Sequence, residues 1–254
     1  MSAATAARGT MPLAAHAREA RRRATRAAVA FALCVVVGFW LADPVLDVLR
    51  RPVEELALSR DASLNYDTVT GAFDLTLTLA LSTAAVLSSP VWLTELFLFV
   101  TPGLTRRERR VALGFAAAAL PLFLAGCAFG LMIFPHMVAM LTGFSSDADS
   151  TILNASYYVG FVVKLMLATG VAFVLPVFMV LLNVLGLVSA ATLRRSWRVI
   201  VVVITLFSAL VTPAADVLSM FLVAVPMSAL FGLALLITWA HDRRAARKET
   251  SCSA

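Results

Sequence analysis

Two glutamates stand inside basic clusters. Glu19 lies in His16-Ala17-Arg18-Glu19-Ala20-Arg21, and Glu108 in Pro102-Gly103-Leu104-Thr105-Arg106-Arg107-Glu108-Arg109-Arg110. A carboxylate offers two oxygens that match the guanidinium fork, a geometry lysine does not reproduce. Such a group either neutralises the arginines beside it on a solvated face or receives a guanidinium from another molecule. Spacing alone leaves both readings open. A second set of charges falls within or at the ends of apolar runs, where a charge is costly and so a candidate for function. These are Glu95, Lys164 and Asp216, with Asp74 at an interface. Lys164 also has a plain alternative, extending its stem so that the ammonium reaches the headgroups.

Bond-breaking chemistry finds no support. The three histidines, His16, His136 and His241, are far apart, and no HExxH, GxSxG or P-loop pattern occurs. Cys34, Cys127 and Cys252 show neither a CxxC nor a Cys/His spacing, so inert thiols are expected rather than disulfides or a metal site. No cofactor is expected.

The elements that must position these groups are legible in the composition. The 254 residues are 61% hydrophobic and only 14% charged. A soluble domain is nearer half apolar and a quarter charged, so the excess apolar surface must face lipid. The net charge of +6 does not point to nucleic acid, because the arginines sit in short clusters between apolar runs. Six runs approach the roughly 20 residues a spanning helix needs: Arg26–Ala42, Phe73–Val100, Val111–Phe134, Tyr157–Val188, Trp197–Val211 and Val217–Ala240. They are continuous rather than alternating, so helices are expected and sheet is not. The basic stretch before the first run has the look of a signal peptide, but the recurrence of runs after it marks a retained helix.

Alternate loops carry the arginines: 18–26, 106–110, 194–198 and 243–248 on one side. The opposite loops hold Arg50, Arg51 and Arg60, offset by six carboxylates, and then Asp147 and Asp149. The positive-inside rule places both termini in the cytoplasm, as an even number of spans requires. The fold expected is all-α: six kinked transmembrane helices in a concave, cup-like bundle. Kinks are expected at Pro90, Pro121, Pro176 and Pro226. The fifth run is too short for a full bilayer, so its flanks enter the membrane or the bilayer thins there. The tight turn after it, 212–216, makes the last two helices a close antiparallel pair. Residues 1–10 are expected to be a disordered leader, 11–241 the transmembrane domain and 242–254 a cytoplasmic tail.

Several ordered blocks across 11–241 resemble the TatC family, the multispanning receptor subunit of the twin-arginine protein translocase. Met11-Pro12-Leu13 with His16, Glu19 and Arg21 is similar to the family's opening. Ser88-Ser89-Pro90-Val91-Trp92-Leu93, Phe99, Pro102-Gly103-Leu104 and Glu108-Arg109-Arg110 are similar to its most distinctive stretch. Gly170, Phe173 and Pro176 match GxxFExP. Leu185-Gly186 with Val188-Ser189 and Leu193-Arg194 match the loop after it. Thr212-Pro213, Asp216, Ser219, Met220, Ala224 and Pro226 match the last signature.

The resemblance implies a receptor, not an enzyme. It binds signal peptides bearing an Arg-Arg pair and recruits single-span TatA and TatB type subunits. It sits in the bacterial cytoplasmic membrane, within a larger complex as a homo-oligomer, and moves folded cargo with the protonmotive force. The implied signal-peptide site comprises Glu19, Glu108, Arg21, Phe99 and Arg109. The implied intramembrane polar and partner-contact set comprises Glu95, Lys164, Asp216, Thr212 and Met220.

The chain departs from the family pattern at defined positions. Ala17 and Ala20 replace leucines, Thr94-Glu95 replaces Tyr-Gln, and Phe97 replaces Trp. Thr78, Val174 and Gly232 replace Lys, Glu and Glu. The Glu95 and Val174 changes together suggest that a buried carboxylate has moved between helices, as a protonated acid inside the concavity. Drift in a divergent, inactive copy is the alternative. A small-solute or ion transporter is the rival class, and it would need symmetric halves and a central charged site.

Overall fold

The computed structural model describes residues 13–60, 63–65, 70–99, 106–142, 152–212 and 217–252. The described chain is all-α apart from two three-residue strands. Its elements are α1 Leu13–Arg60, β1 Ser63–Asn65, α2 Gly71–Leu87, α3 Ser89–Phe99 and α4 Arg106–Thr142. They continue with β2 Ile152–Asn154, α5 Ala155–Val184, α6 Ala190–Arg195, α7 Trp197–Val211 and α8 Val217–Cys252. The expected leader, the 212–216 turn beyond Thr212, and Asp147 and Asp149 lie outside the described residues.

Four helices contain stretches long and apolar enough to cross a bilayer, within Ala17–Leu49, Glu108–Met137, Ser156–Val184 and Ser219–Arg244. A bent pair, α2 with α3, makes a fifth. The shorter α7 is the remaining apolar helix, and its 15 residues reach only about 22 Å at about 1.5 Å per residue. These correspond to the six apolar runs in order.

α1 is much longer than the run that marks it. Its 48 residues extend about 70 Å, against a hydrocarbon core of about 30 Å. The basic stretch holding Glu19 is therefore helical and projects beyond the apolar segment. At the other end of the chain, α8 continues past residue 241 to Cys252, so the first part of the segment expected as a tail is helical.

Among the described prolines, only Pro90 accompanies a break. α2 and α3 meet at 56°, whereas Pro121, Pro135, Pro176 and Pro226 lie inside continuous helices. Proline disfavours a helical residue before it and donates no hydrogen bond. The break leaves the Ala85 carbonyl without its regular helical donor. The Trp92 indole Nε1 donates to it at 3.0 Å, and Ser88 Oγ approaches at 3.4 Å. In lipid no water is at hand to do this, so a side chain that caps the freed carbonyl lets the bend persist.

Strands β1 and β2 pair in parallel, Ser63 with Ile152 through Asn65 with Asn154. Sheet was not expected. The pair lies outside the apolar runs, where three residues are too few to show any periodicity.

The core has two parts joined by α5. One gathers Leu75 and Leu79 of α2, Phe134 and Met137 of α4, Tyr158 and Leu165 of α5, Ile204 of α7, and Val223 and Met227 of α8. The other gathers Leu93 and Phe97 of α3, Ala116 and Phe123 of α4, and Val174 and Leu181 of α5. The α4–α5 seam is built on small residues, as helix contacts in lipid commonly are. A Cβ on Gly126 would stand 2.6 Å from the Thr169 carbonyl oxygen, and one on Gly170 would stand 2.6 Å from Cys127 Sγ. The Thr169 hydroxyl donates across the seam to the Gly126 carbonyl at 2.8 Å.

α5 ends where Gly186 takes φ +72°, a left-handed cap that glycine adopts without strain. Asp242 of α8 fastens the following loop. Its carboxylate accepts from the Ala190 backbone N–H at 2.8 Å and from Asn183 Nδ2 at 3.0 Å. Asp242→Ala would strand both donors at a partly exposed site, a loss of about 1 kcal/mol. The expected result is faster protease cleavage between Val184 and Ala190 in detergent, with the α-helical circular dichroism unchanged.

Candidate functional site

The N-terminal part of α1 lies along α3. Ala20, Arg23, Ala24 and Ala27 of α1 face Trp92, Glu95, Leu96 and Phe99 of α3 across a groove of about 360 Å³. The alanines keep the helix surface low, and Trp92 and Phe99 give the groove aromatic sides. Trp92 is held by its bond to Ala85 and by an edge-on contact with Phe123, at 5.3 Å between ring centroids.

Arg23 organises the polar part. Its guanidinium meets Glu19 Oε1 at 2.6 Å (Nη2) and 2.7 Å (Nε), and Nη1 donates to Glu95 Oε2 at 2.9 Å. Arg26 adds a longer contact to Glu95 Oε1 at 3.3 Å. The side chains of Arg23 and Glu95 are 18% and 15% exposed, that of Glu19 39%. Two inward groups therefore anchor a third whose carboxylate still faces outward. Glu19 and Arg23 sit four residues apart on one helix face, whereas Glu95 comes from another helix.

Glu95 is thus not a lone acid in an apolar interior. It pairs with Arg23 and Arg26, while Val174 is buried with Leu93, Phe97 and Leu181. The expectation that Glu95 replaces the missing carboxylate at Val174 is corrected. Helical spacing points the two sides of α3 apart, with Leu93 and Phe97 in the core and Glu95 toward α1.

Glu108 stands in the first turn of α4, where an acid complements the helix dipole. It is partly buried, and Arg109 is exposed. Six residues separate the end of α3 at Phe99 from the start of α4 at Arg106, and Phe99 faces Ala20 across the groove. α3 packs against both α1 and α4. Glu19, Glu108, Phe99 and Arg109 therefore belong to the same end of the bundle. Arg21 is exposed on α1, and its backbone carbonyl accepts from the Thr25 hydroxyl at 2.8 Å.

The remaining candidates are scattered. Lys164 is exposed on α5 between buried Val163 and Leu165. Thr212 is buried, with its hydroxyl turned back to the Ser208 carbonyl at 3.0 Å. Met220 is half-buried on α8, and Asp216 lies outside the described residues. Sequence reasoning did not single out Arg23, Trp92 or Asp242. The Glu19–Arg23 spacing was the one signal that could have found Arg23.

A second groove, about 390 Å³ and almost wholly apolar, opens between α1, α2, α4 and α5. Val45 and Val48 line one side of it, Val86 and Leu87 another, and Leu131, Val162 and Met166 the rest.

The sequence matches the family model described as Sec-independent protein translocase protein (TatC) over residues 15–226. It is 41% identical over 249 residues to a Sec-independent protein translocase protein TatC of Xylanimonas cellulosilytica, covering 97% of this chain and 90% of that one. It is 31% identical to the TatCy protein of Bacillus subtilis, covering 95% and 94% of the two chains. A crystal structure described as the twin arginine translocase receptor TatC in DDM superposes with a TM-score of 0.78 at 25% identity, covering 88% of this chain and 99% of that one.

Proposed function

This chain belongs to the TatC family of Sec-independent translocase proteins, and from that premise we propose that it receives Arg-Arg signal peptides of folded cargo at Glu19 and Glu108. It is a multi-pass membrane protein and a component of a protein translocase. In this reading it is the receptor and core subunit in the bacterial cytoplasmic membrane, with both termini cytoplasmic and export driven by the protonmotive force. The observation that carries the site is a guanidinium already seated between two carboxylates, beside an aromatic-sided groove.

The arrangement suggests docking by exchange. Arg23 occupies Glu19 in the free receptor, and a signal-peptide arginine takes its place while Glu95 retains Arg23. Glu108 receives the second arginine. The apolar stretch of the signal then lies along the groove between α1 and α2, whose lining has almost no polar surface. TatA and TatB type single-span subunits pack on α7 and α8, where Val202, Val203, Leu206, Phe221 and Val225 are exposed. Thr212 and Met220 lie on this side, and several receptors assemble in one complex.

The test is capture of an Arg-Arg signal peptide by the full chain in detergent, against its Lys-Lys variant. Binding of the first should exceed the second by at least about ten-fold, because bidentate pairing is lost with lysine. Equal binding sinks the reading. The exchange step predicts opposite signs in the same assay. Arg23→Gln uncovers Glu19 and should tighten peptide binding by about two- to five-fold, in keeping with the modest worth of a partly exposed ion pair. Glu95→Gln leaves Arg23 wholly to Glu19 and should weaken it by a similar factor. Weakening by both variants would show instead that Arg23 only braces the site.

A further inference from the structure

A further groove lies away from Glu19 and Glu95. It holds about 1000 Å³ between α6 and α8, at the upper end of the range for small-molecule cavities. Its floor is made of small and aliphatic residues, Ala190 of α6 and Ala229, Gly232 and Leu236 of α8. Among the described residues nothing closes the gap at Gly232, where a built Cβ would meet nothing within 4 Å. At the basic end of α8 the character changes. Arg194 and Arg243 line the rim with Trp239, and Arg243 Cζ lies 4.2 Å from the Trp239 ring centroid.

Stacking uses the face of a guanidinium and leaves its in-plane N–H donors available. Those donors match phosphate oxygens bidentately. The one carboxylate at the rim, Asp242, is engaged by the Ala190 N–H and the Asn183 amide. The groove therefore has two guanidiniums at one end and a nearly unbroken apolar surface beyond them, the layout of an amphiphile with an anionic head.

We propose that the α6–α8 groove is a binding site for an anionic glycerophospholipid, with its phosphate on Arg194 and Arg243 and an acyl chain over Gly232. A large side chain at position 232 would project into the groove, where a Cβ on Gly232 meets no neighbour within 4 Å. A transmembrane helix of a partner would supply apolar surface, and would meet the two guanidiniums with an anion only if it carried an acid at their depth. The phospholipid satisfies both parts of the groove. The site is separate from the Glu19 region and does not depend on how cargo is bound.

The full chain is reconstituted with equal amounts of phosphatidylglycerol and phosphatidylcholine of matched acyl chains. It is then extracted in mild detergent, and retained lipid is counted by native mass spectrometry. The wild-type chain should retain phosphatidylglycerol over phosphatidylcholine by about ten-fold. Arg194→Gln with Arg243→Gln should bring the two lipids to near parity. Arg195→Gln with Arg244→Gln removes the same charge outside the groove lining and should keep the preference. Gly232→Phe should cut retention of both lipids while the melting temperature in detergent stays within a few degrees of wild type. Equal retention of the two lipids by the wild type would overturn the proposal. So would full loss of preference in the Arg195/Arg244 control, or unchanged retention in Gly232→Phe. A photo-crosslinker at residue 232 that reacts in native membranes with a single-span subunit and not with lipid would also overturn it.

Discussion

Replacing Glu19 and Glu108 together by glutamine is expected to lower Arg-Arg signal-peptide binding by about a hundred-fold or more, and to abolish export of a folded reporter. Glutamine keeps the length and one acceptor oxygen, so the change removes charge rather than shape. A hydrogen bond to a charged group contributes about 1.5–3 kcal/mol. Two such contacts amount to about 3–6 kcal/mol, which exceeds a hundred-fold at its lower bound. Glu19 alone should give about ten-fold, because its carboxylate is partly exposed and solvent screens it. Neither residue lies in the two core clusters, so the melting temperature in detergent should not move. Calorimetric titration of the purified double variant is the check. Undiminished peptide affinity would remove both residues from the receptor site.

The other large effect concerns assembly of the bundle. Gly126→Leu should prevent accumulation of folded protein, or lower its melting temperature by about 10 °C. The new Cβ would stand 2.6 Å from the Thr169 carbonyl oxygen and 2.9 Å from Gly170 Cα. Both are backbone atoms of α5, so no flexible side-chain end can give way. Overpacking typically costs about 1–3 kcal/mol, and more where backbones must part. The helices would separate, and the Thr169 hydrogen bond to the Gly126 carbonyl would lengthen with them. Gly114→Leu is the internal comparison. It lies on the same helix, with nothing within 4 Å of a built Cβ, and should be nearly neutral. Equal thermal stability of the two variants would count against the seam as the rigid element of the fold.

How much of this was readable beforehand depends on the range of the interaction. The apolar runs translate into helices because backbone groups in lipid must be satisfied within the segment, a local rule. The shortness of α7 follows from counting residues. Glu19 was found because its neighbours and its helix partner are close in sequence. Glu95 is recognisable as costly but has no partner legible in the sequence, since its pairing with Arg23 spans 72 positions and only the packing of α1 on α3 reveals it. The prolines looked equivalent in sequence. Pro90 differs because it follows the Ser88-Ser89 pair at which α2 ends, and because Trp92 can reach back to a freed carbonyl. The β1–β2 pairing and the Asp242 contacts join segments that are remote along the chain, and no periodicity announces them.

The indole that secures the α2–α3 bend also has an optical consequence. Of the four tryptophans in the chain, Trp92 lines the groove beside Arg23, whereas Trp40, Trp197 and Trp239 are exposed elsewhere. A ligand entering that groove would change the polarity around a ring whose orientation is already pinned. A variant retaining Trp92 as its sole tryptophan would thus report arrival of cargo through its own emission, with no dye attached.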